Sequence, residues 1–217
     1  MMADIFPPGQ AKDIFPIKIY EAEFPNFEDI QDKILNAMLP HFESKNLADG
    51  NDYVFSGGDP MIIRTGNDLH KDPALKEIAD FIEYHGREYW KQSDLTSRVD
   101  PYVLQLWANR VPPGGFTPAH NHNPVPLAGA FYVDASPDKG NLYLEDPLEM
   151  VQGRMPRDFL YKPYLYTETI TVKPGKLVMF PGYLRHHTRS NMSNENRYVF
   201  GFNFGAWQHF MPKPTGQ

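Results

Sequence analysis

Apolar positions recur at two spacings along this chain, every three to four residues in its first hundred and every second residue thereafter. Phe27, Ile30, Ile34 and Met38 follow Asn26, a candidate N-cap, at helical intervals, and Pro40 ends the run. A second helix is expected from about Asp72 to Trp90. Asp72 is its candidate cap, Pro73 occupies the first helical position, and Leu75, Ile78, Ala79, Ile82 and Tyr89 form one stripe that packs against a core. Residues 1–25 read as an irregular arm, with Ile17–Ile19 a candidate strand start. From residue 101 the runs Val103–Ala108, Ala128–Asp134, Asn141–Glu145, Glu168–Val172, Lys176–Phe180 and Tyr198–Phe204 are short and β-prone, each bounded by Pro, Gly, Asn or Asp. The pattern predicts a mainly β, α+β protein: N-terminal helices packed against a β-sandwich. One domain spanning 1–217 is expected, with 1–100 as arm and supporting helices and 101–217 as the β core.

Composition narrows the chemistry. Twenty-one prolines and sixteen glycines suit many tight turns and argue against a helical bundle. The absence of cysteine removes disulfides, thiolate metal sites and Cys nucleophiles, so any metal is left to His, Asp, Glu or water. A net charge of −6 with scattered Lys and Arg offers no basic stripe, and nucleic acid is not expected as a partner. No apolar window reaches membrane-spanning length and the first residues do not read as a leader, so a cytoplasmic protein is the expectation.

Two clusters carry the chemistry. The first is Pro118-Ala-His-Asn-His-Asn-Pro124. In an extended segment, residues two apart point to the same side, so His120 and His122 can face one point in space. Imidazole is a common metal ligand at neutral pH, and such a pair supplies two arms of a facial site. The second runs from Pro174 to Thr188, where an apolar strand reaches a Pro-Gly turn that presents His186 and His187. Arg197 then opens a strand whose alternation puts Arg197, Val199, Gly201 and Asn203 on one face. A guanidinium turned inward among apolar residues calls for an anion, and its planar fork suits a carboxylate. The remaining histidines have plain readings: His41 and His85 near helix C-termini, His70 in a loop, His209 in the tail. The group Phe159, Tyr161, Tyr164 and Tyr166 reads as a strand or lid packing its rings, with a substrate mouth as the alternative.

Five motifs in order resemble the 2-oxoglutarate/Fe(II)-dependent dioxygenase superfamily, and within it a group of bacterial and phage oxygenases. They are Trp107-Ala-Asn109, His120-Asn-His122, Ala128-Gly-Ala-Phe-Tyr132, Phe180-Pro-Gly-Tyr-Leu-Arg-His186 and Arg197-Tyr-Val-Phe-Gly-Phe-Asn203. The resemblance implies a double-stranded β-helix, the jelly roll shared with cupins. It implies Fe(II) held by His120 and His186, with 2-oxoglutarate and O2 as co-substrates, and a register that selects His186 over His187. Arg197 would take the distal carboxylate of 2-oxoglutarate, Tyr132 would donate its hydroxyl to the same group, and Asn109 and Asn203 would face the cavity. His122 stands where the superfamily has Asp or Glu. Either three histidines complete the site, or Asp146 supplies the carboxylate.

The expected outcome is hydroxylation of a small-molecule or peptidyl substrate with release of succinate and CO2, with no side chain needed as nucleophile or general base. Two other readings stay open: a three-histidine cupin-type metalloenzyme without a keto-acid, and a cupin-like small-molecule-binding module. A homodimer is the default oligomer.

Overall fold

The strands expected after residue 101 are present, and two antiparallel sheets organise them. The computed structural model describes residues 16–43, 61–93, 95, 98–147 and 167–208. In chain order its elements are β1 (Tyr20–Glu23), α1 (Gln31–Met38), β2 (Ile63–Arg64), α2 (Lys76–Gln92), β3 (Val99–Val111) and β4 (Leu127–Asp134). They continue with β5 (Leu142–Glu145), β6 (Thr167–Ile170), β7 (Lys176–Pro181), β8 (His186–Thr188) and β9 (Arg197–Gln208). The larger sheet runs β1-β7-β4-β9-β3-β2 and the smaller β6-β5-β8, the jelly-roll arrangement with helices added on one side.

Strands β4 and β7 read as nearly continuous apolar runs because both of their faces are covered. On β7, Leu177 and Met179 join the helix-facing core while Val178 and Phe180 join the core between the sheets. On the helix-facing side, Ile34, Met38, Leu75, Ile78, Ile82 and Tyr89 meet Phe131, Phe200, Phe202 and Phe204. On the other side, Leu142, Leu144 and Ile170 of the smaller sheet close over Ala128, Tyr132 and Val199. The functional residues lie on this second side.

The second helix starts as its sequence predicts. Asp72 accepts a hydrogen bond from Ala74 N at 2.8 Å, a 3₁₀ turn spans Pro73–Leu75, and α2 follows. Four expectations need correction. Asn26 adopts left-handed backbone (φ 51°) and makes no side-chain cap; a 3₁₀ turn over Phe27–Asp29 precedes α1. The first strand begins at Tyr20 rather than within Ile17–Ile19. His85 sits in the body of α2, not near its end, and its Nδ1 is 2.8 Å from the Tyr20 hydroxyl. Strands β2 and β8 are additional; two or three residues are too short to show a period. Phe159, Tyr161, Tyr164, Tyr166 and His209 lie outside the described residues.

Candidate metal and co-substrate site

Backbone pairing brings the two histidine clusters together. His120 N donates to His186 O at 3.0 Å and His186 N donates to His120 O at 2.9 Å, a narrow antiparallel bridge between residues far apart in the chain. Residues directly opposite in such a pair project to the same side. His122 N donates to Gly182 O at 2.8 Å, which carries the pairing two residues further. The ring centroids of His120, His122 and His186 lie 4.4–5.1 Å apart. One donor nitrogen from each falls within 4.8 Å of the other two.

The three rings are oriented in the same way. His120 Nδ1 is 2.8 Å from Pro118 O, His186 Nδ1 is 2.9 Å from Leu184 O, and His122 Nδ1 is 2.7 Å from Asn203 Oδ1. An oxygen acceptor at Nδ1 requires the proton there, which leaves the Nε2 lone pair of each ring for a metal. Asn203 is fixed in turn, its Nδ2 donating to Gln105 Oε1 at 2.8 Å. Burial pushes the His186 imidazole down to about 3 and His122 to about 4, and it lowers His120 as well. All three are therefore neutral near pH 7, the form that binds metal. Three neutral imidazoles with open positions beside them suit a divalent first-row ion such as Fe(II).

Deeper in the same cavity lies Arg197, with no exposed surface. Its Nη1 donates to Lys139 O and Gly140 O, each at 2.8 Å, and Nη2 donates to Thr188 Oγ1 at 3.0 Å. Among the described residues, Nε is buried without a partner and no carboxylate pairs with the guanidinium. Gly140 (φ 100°) makes the turn that aims these carbonyls, and a Cβ there would lie 2.8 Å from Arg197 Nη1. Burial disfavours the charge, which a guanidinium nevertheless keeps, so the position is prepared for an anion. The Tyr132 hydroxyl lies close by. Burial pushes it up to about 12, against the pull of Arg197, so it is a proton donor throughout the physiological range.

The strand register explains how these groups share one cavity. Gln105, Trp107 and Asn109 of β3 stand opposite Asn203, Gly201 and Val199 of β9. Tyr132 of β4 stands opposite Val199 on the other flank. Gly201 leaves room for the Trp107 indole, whose atoms would meet a Cβ there at 2.5 Å. All of these residues line one cavity of about 520 Å³ together with the three histidines and Arg197. Asn109 contributes to the wall, and Asn203 faces the cavity while holding His122. Asp146 is not among the clustered donors. His187 turns aside, its Nδ1 3.0 Å from Glu145 Oε1 and its ring stacked on Tyr143.

Residues 105–203 match the family described as "Putative 2OG-Fe(II) oxygenase". Over this core, a little under half of the chain, the sequence is similar to that family. Solved structures share the fold at low identity. The non-heme α-ketoglutarate-dependent carbocyclase SnoK from nogalamycin biosynthesis aligns with a TM-score of 0.64 and 15% identity, covering 88% of this chain and 82% of its own. HygX from Streptomyces hygroscopicus, with nickel and 2-oxoglutarate bound, aligns at 0.56 and 14%, covering 90% and 84%. A Pseudomonas putida prolyl-4-hydroxylase aligns at 0.55 and 13%, covering 86% and 92%. No curated protein sequence matches. No helix among the described residues is long and apolar enough to cross a membrane.

Sequence reasoning missed two parts of this site. Arg64, on the two-residue strand β2, lines the cavity without any motif around it. The role of Asn203 in orienting His122 depends on a contact across 81 positions and has no local signal.

Proposed function

We propose that this protein is a 2-oxoglutarate/Fe(II)-dependent oxygenase that hydroxylates its substrate with release of succinate and CO2, using His120, His122 and His186 as the iron ligands and Arg197 as the 2-oxoglutarate anchor. The observation that carries the reading is the pairing, in one cavity, of three imidazoles with free Nε2 positions and a fully buried guanidinium without a counter-ion among the described residues. Bound iron and 2-oxoglutarate would supply the oxidising chemistry, activating O2 as the keto-acid is decarboxylated.

The chain's own residues hold, orient and shield. Pro118 O, Leu184 O and Asn203 Oδ1 keep the three rings in one tautomer. Arg197 and the Tyr132 hydroxyl offer donors to the distal carboxylate at the cavity floor, with Thr188 bracing the guanidinium. Phe180, Leu142 and Val199 keep that floor apolar and limit water. Asn109 and Trp107 belong to the wall available to a substrate, a small molecule or a peptidyl side chain. The helices and both sheets act as one domain, because the helices bury the outer face of the sheet whose inner face carries the site.

The test is an anaerobic titration with Fe(II) and then 2-oxoglutarate. A weak visible charge-transfer band is expected on addition of the keto-acid, and slow succinate release once O2 is admitted. Absence of both would overturn the co-substrate assignment and favour a three-histidine cupin-type enzyme that needs no keto-acid.

A further inference from the structure

The cavity lining contains two guanidiniums, those of Arg64 and Arg197, and four histidines, but among the described residues no aspartate or glutamate. We propose that Arg64 is a second anion-binding residue, and that it grips a carboxylate or phosphate on the prime substrate; the inference rests on the oxygenase reading above. The charge inventory supports this. Three neutral imidazoles bring no charge, so Fe(II) and dianionic 2-oxoglutarate balance each other and both guanidiniums remain. A metal site with a carboxylate ligand would offset part of this excess, whereas His122 does not. Of the two carboxylates of 2-oxoglutarate, one belongs beside the keto group at the metal and the other with Arg197. None is left for Arg64.

Local geometry points the same way. Strand β2 is at the sheet edge, where Arg64 pairs with Asn109 of β3. The Arg64 guanidinium lies 4.2 Å from the centroid of the Trp107 ring, and Nη2 donates to Asn67 Oδ1 at 2.6 Å. Both partners are neutral. Among the described residues, Nε is buried with no acceptor and no carboxylate pairs with this side chain. A charged donor left in this way is costly unless a ligand satisfies it. The Trp107 indole is itself stacked with the His122 imidazole, centroids 5.9 Å apart. An anion on Arg64 is therefore anchored within two ring contacts of the metal triad. Asn67, Gln105 and Asn109 line the intervening wall with amide groups for the rest of the molecule. Arg197 is wholly enclosed whereas Arg64 is half-buried, so the deep cation suits the co-substrate and the outer one suits a substrate arriving afterwards.

The test uses the full chain loaded with Ni(II), which is redox-inert here, and saturating 2-oxoglutarate, which occupies Arg197. Binding of benzoate, phenyl phosphate, benzamide and benzylamine is measured by ligand-observed NMR. Wild type is expected to bind the two anions and to discriminate against benzamide. Arg64→Gln should weaken the anions roughly ten- to a hundredfold, the effect of one charge-assisted pair. Arg64→Lys should keep the preference at reduced affinity, and Arg64→Glu should shift it to benzylamine, a gain that misfolding cannot produce. Equal binding of benzamide and benzoate by wild type, no binding of either anion, or undiminished anion binding by Arg64→Gln would each overturn the proposal. Uptake of 2-oxoglutarate by wild type is measured first. If it fails, the co-substrate reading falls, and the anion preference is then compared between Arg64→Gln and Arg197→Gln to decide Arg64 on its own.

Discussion

Strand β9 presents two unlike surfaces from alternate residues. Tyr198, Phe200, Phe202 and Phe204 face the helices, an unbroken aromatic row closed by Leu106, Phe131 and the apolar stripe of α2. Arg197, Val199, Gly201 and Asn203 face the cavity, where one is a cation, one an amide and one has no side chain at all. The outer row holds the strand in place and the inner row uses that placement. A strand with both faces buried would normally be apolar throughout. The departures from that rule on the inner row are the positions with a partner to meet: His122 for Asn203, the Trp107 ring for Gly201, and, on the reading proposed above, an anion for Arg197.

The contrast is open to direct attack. The largest effect is expected on the outer row, where Phe202→Ala should cost about 3–5 kcal/mol of stability in urea unfolding, from lost burial and the cavity left behind. Iron binding by the molecules that remain folded should persist. A Phe202→Ala protein of normal stability that had lost iron would erase the distinction between the faces. On the inner row, Arg197→Lys keeps the charge but loses the fork. The 2-oxoglutarate requirement should rise ten- to a thousandfold, about 1.5–4 kcal/mol, while Fe(II) affinity without co-substrate stays close to wild type. Equal loss of both would mean that Arg197 serves the metal site as structure.

A smaller effect is expected for Asn203→Ala, which frees the His122 ring. Metal affinity measured by chelator competition should fall about ten- to a hundredfold, and Asn203→Asp should restore much of it, since a carboxylate oxygen also accepts from Nδ1. The smallest change concerns the helix that covers the outer row. Asp72→Ala removes the cap on Ala74 N and should cost about 1 kcal/mol in thermal or urea unfolding near neutral pH. The Ala74 N–H holds the Asp72 carboxyl below its usual value, partly offset by burial and helped by His41. Its contribution is thus present above the unfolded carboxylate range and is lost as pH falls through the lowered folded value. Wild type and Asp72→Ala should converge in stability in acid; a gap that widened there would contradict the assignment.

Legibility from sequence followed the range of the interactions. Asp72 and Pro73 announced α2 because capping is decided within three residues. The inward set on β9 was readable because alternation needs no knowledge of the partner strand, and the motif order brought His120, His186 and Arg197 into one expectation. Asn26 misled because its backbone turns left-handed, so its side chain does not cap. Arg64 was invisible because it lies on a two-residue edge strand whose placement depends on β3, far along the chain. Asn203 was read as a cavity residue, and its hydrogen bond to His122 could be found only once β9 and the 120–122 segment had been brought together.

The bridge between His120 and His186 also bears on when the centre comes into being. Its two hydrogen bonds close a loop of 66 residues, so the imidazole cluster depends on a contact of high sequence separation rather than on a local hairpin. During synthesis the emerging chain exposes His120 and His122 well before their third companion, and two imidazoles on an unstructured segment make a poor trap for any metal. Capture of an ion by the proposed centre would thereby wait until residues 120 and 186 have paired, at which point the backbone has already set the spacing of two of the three rings.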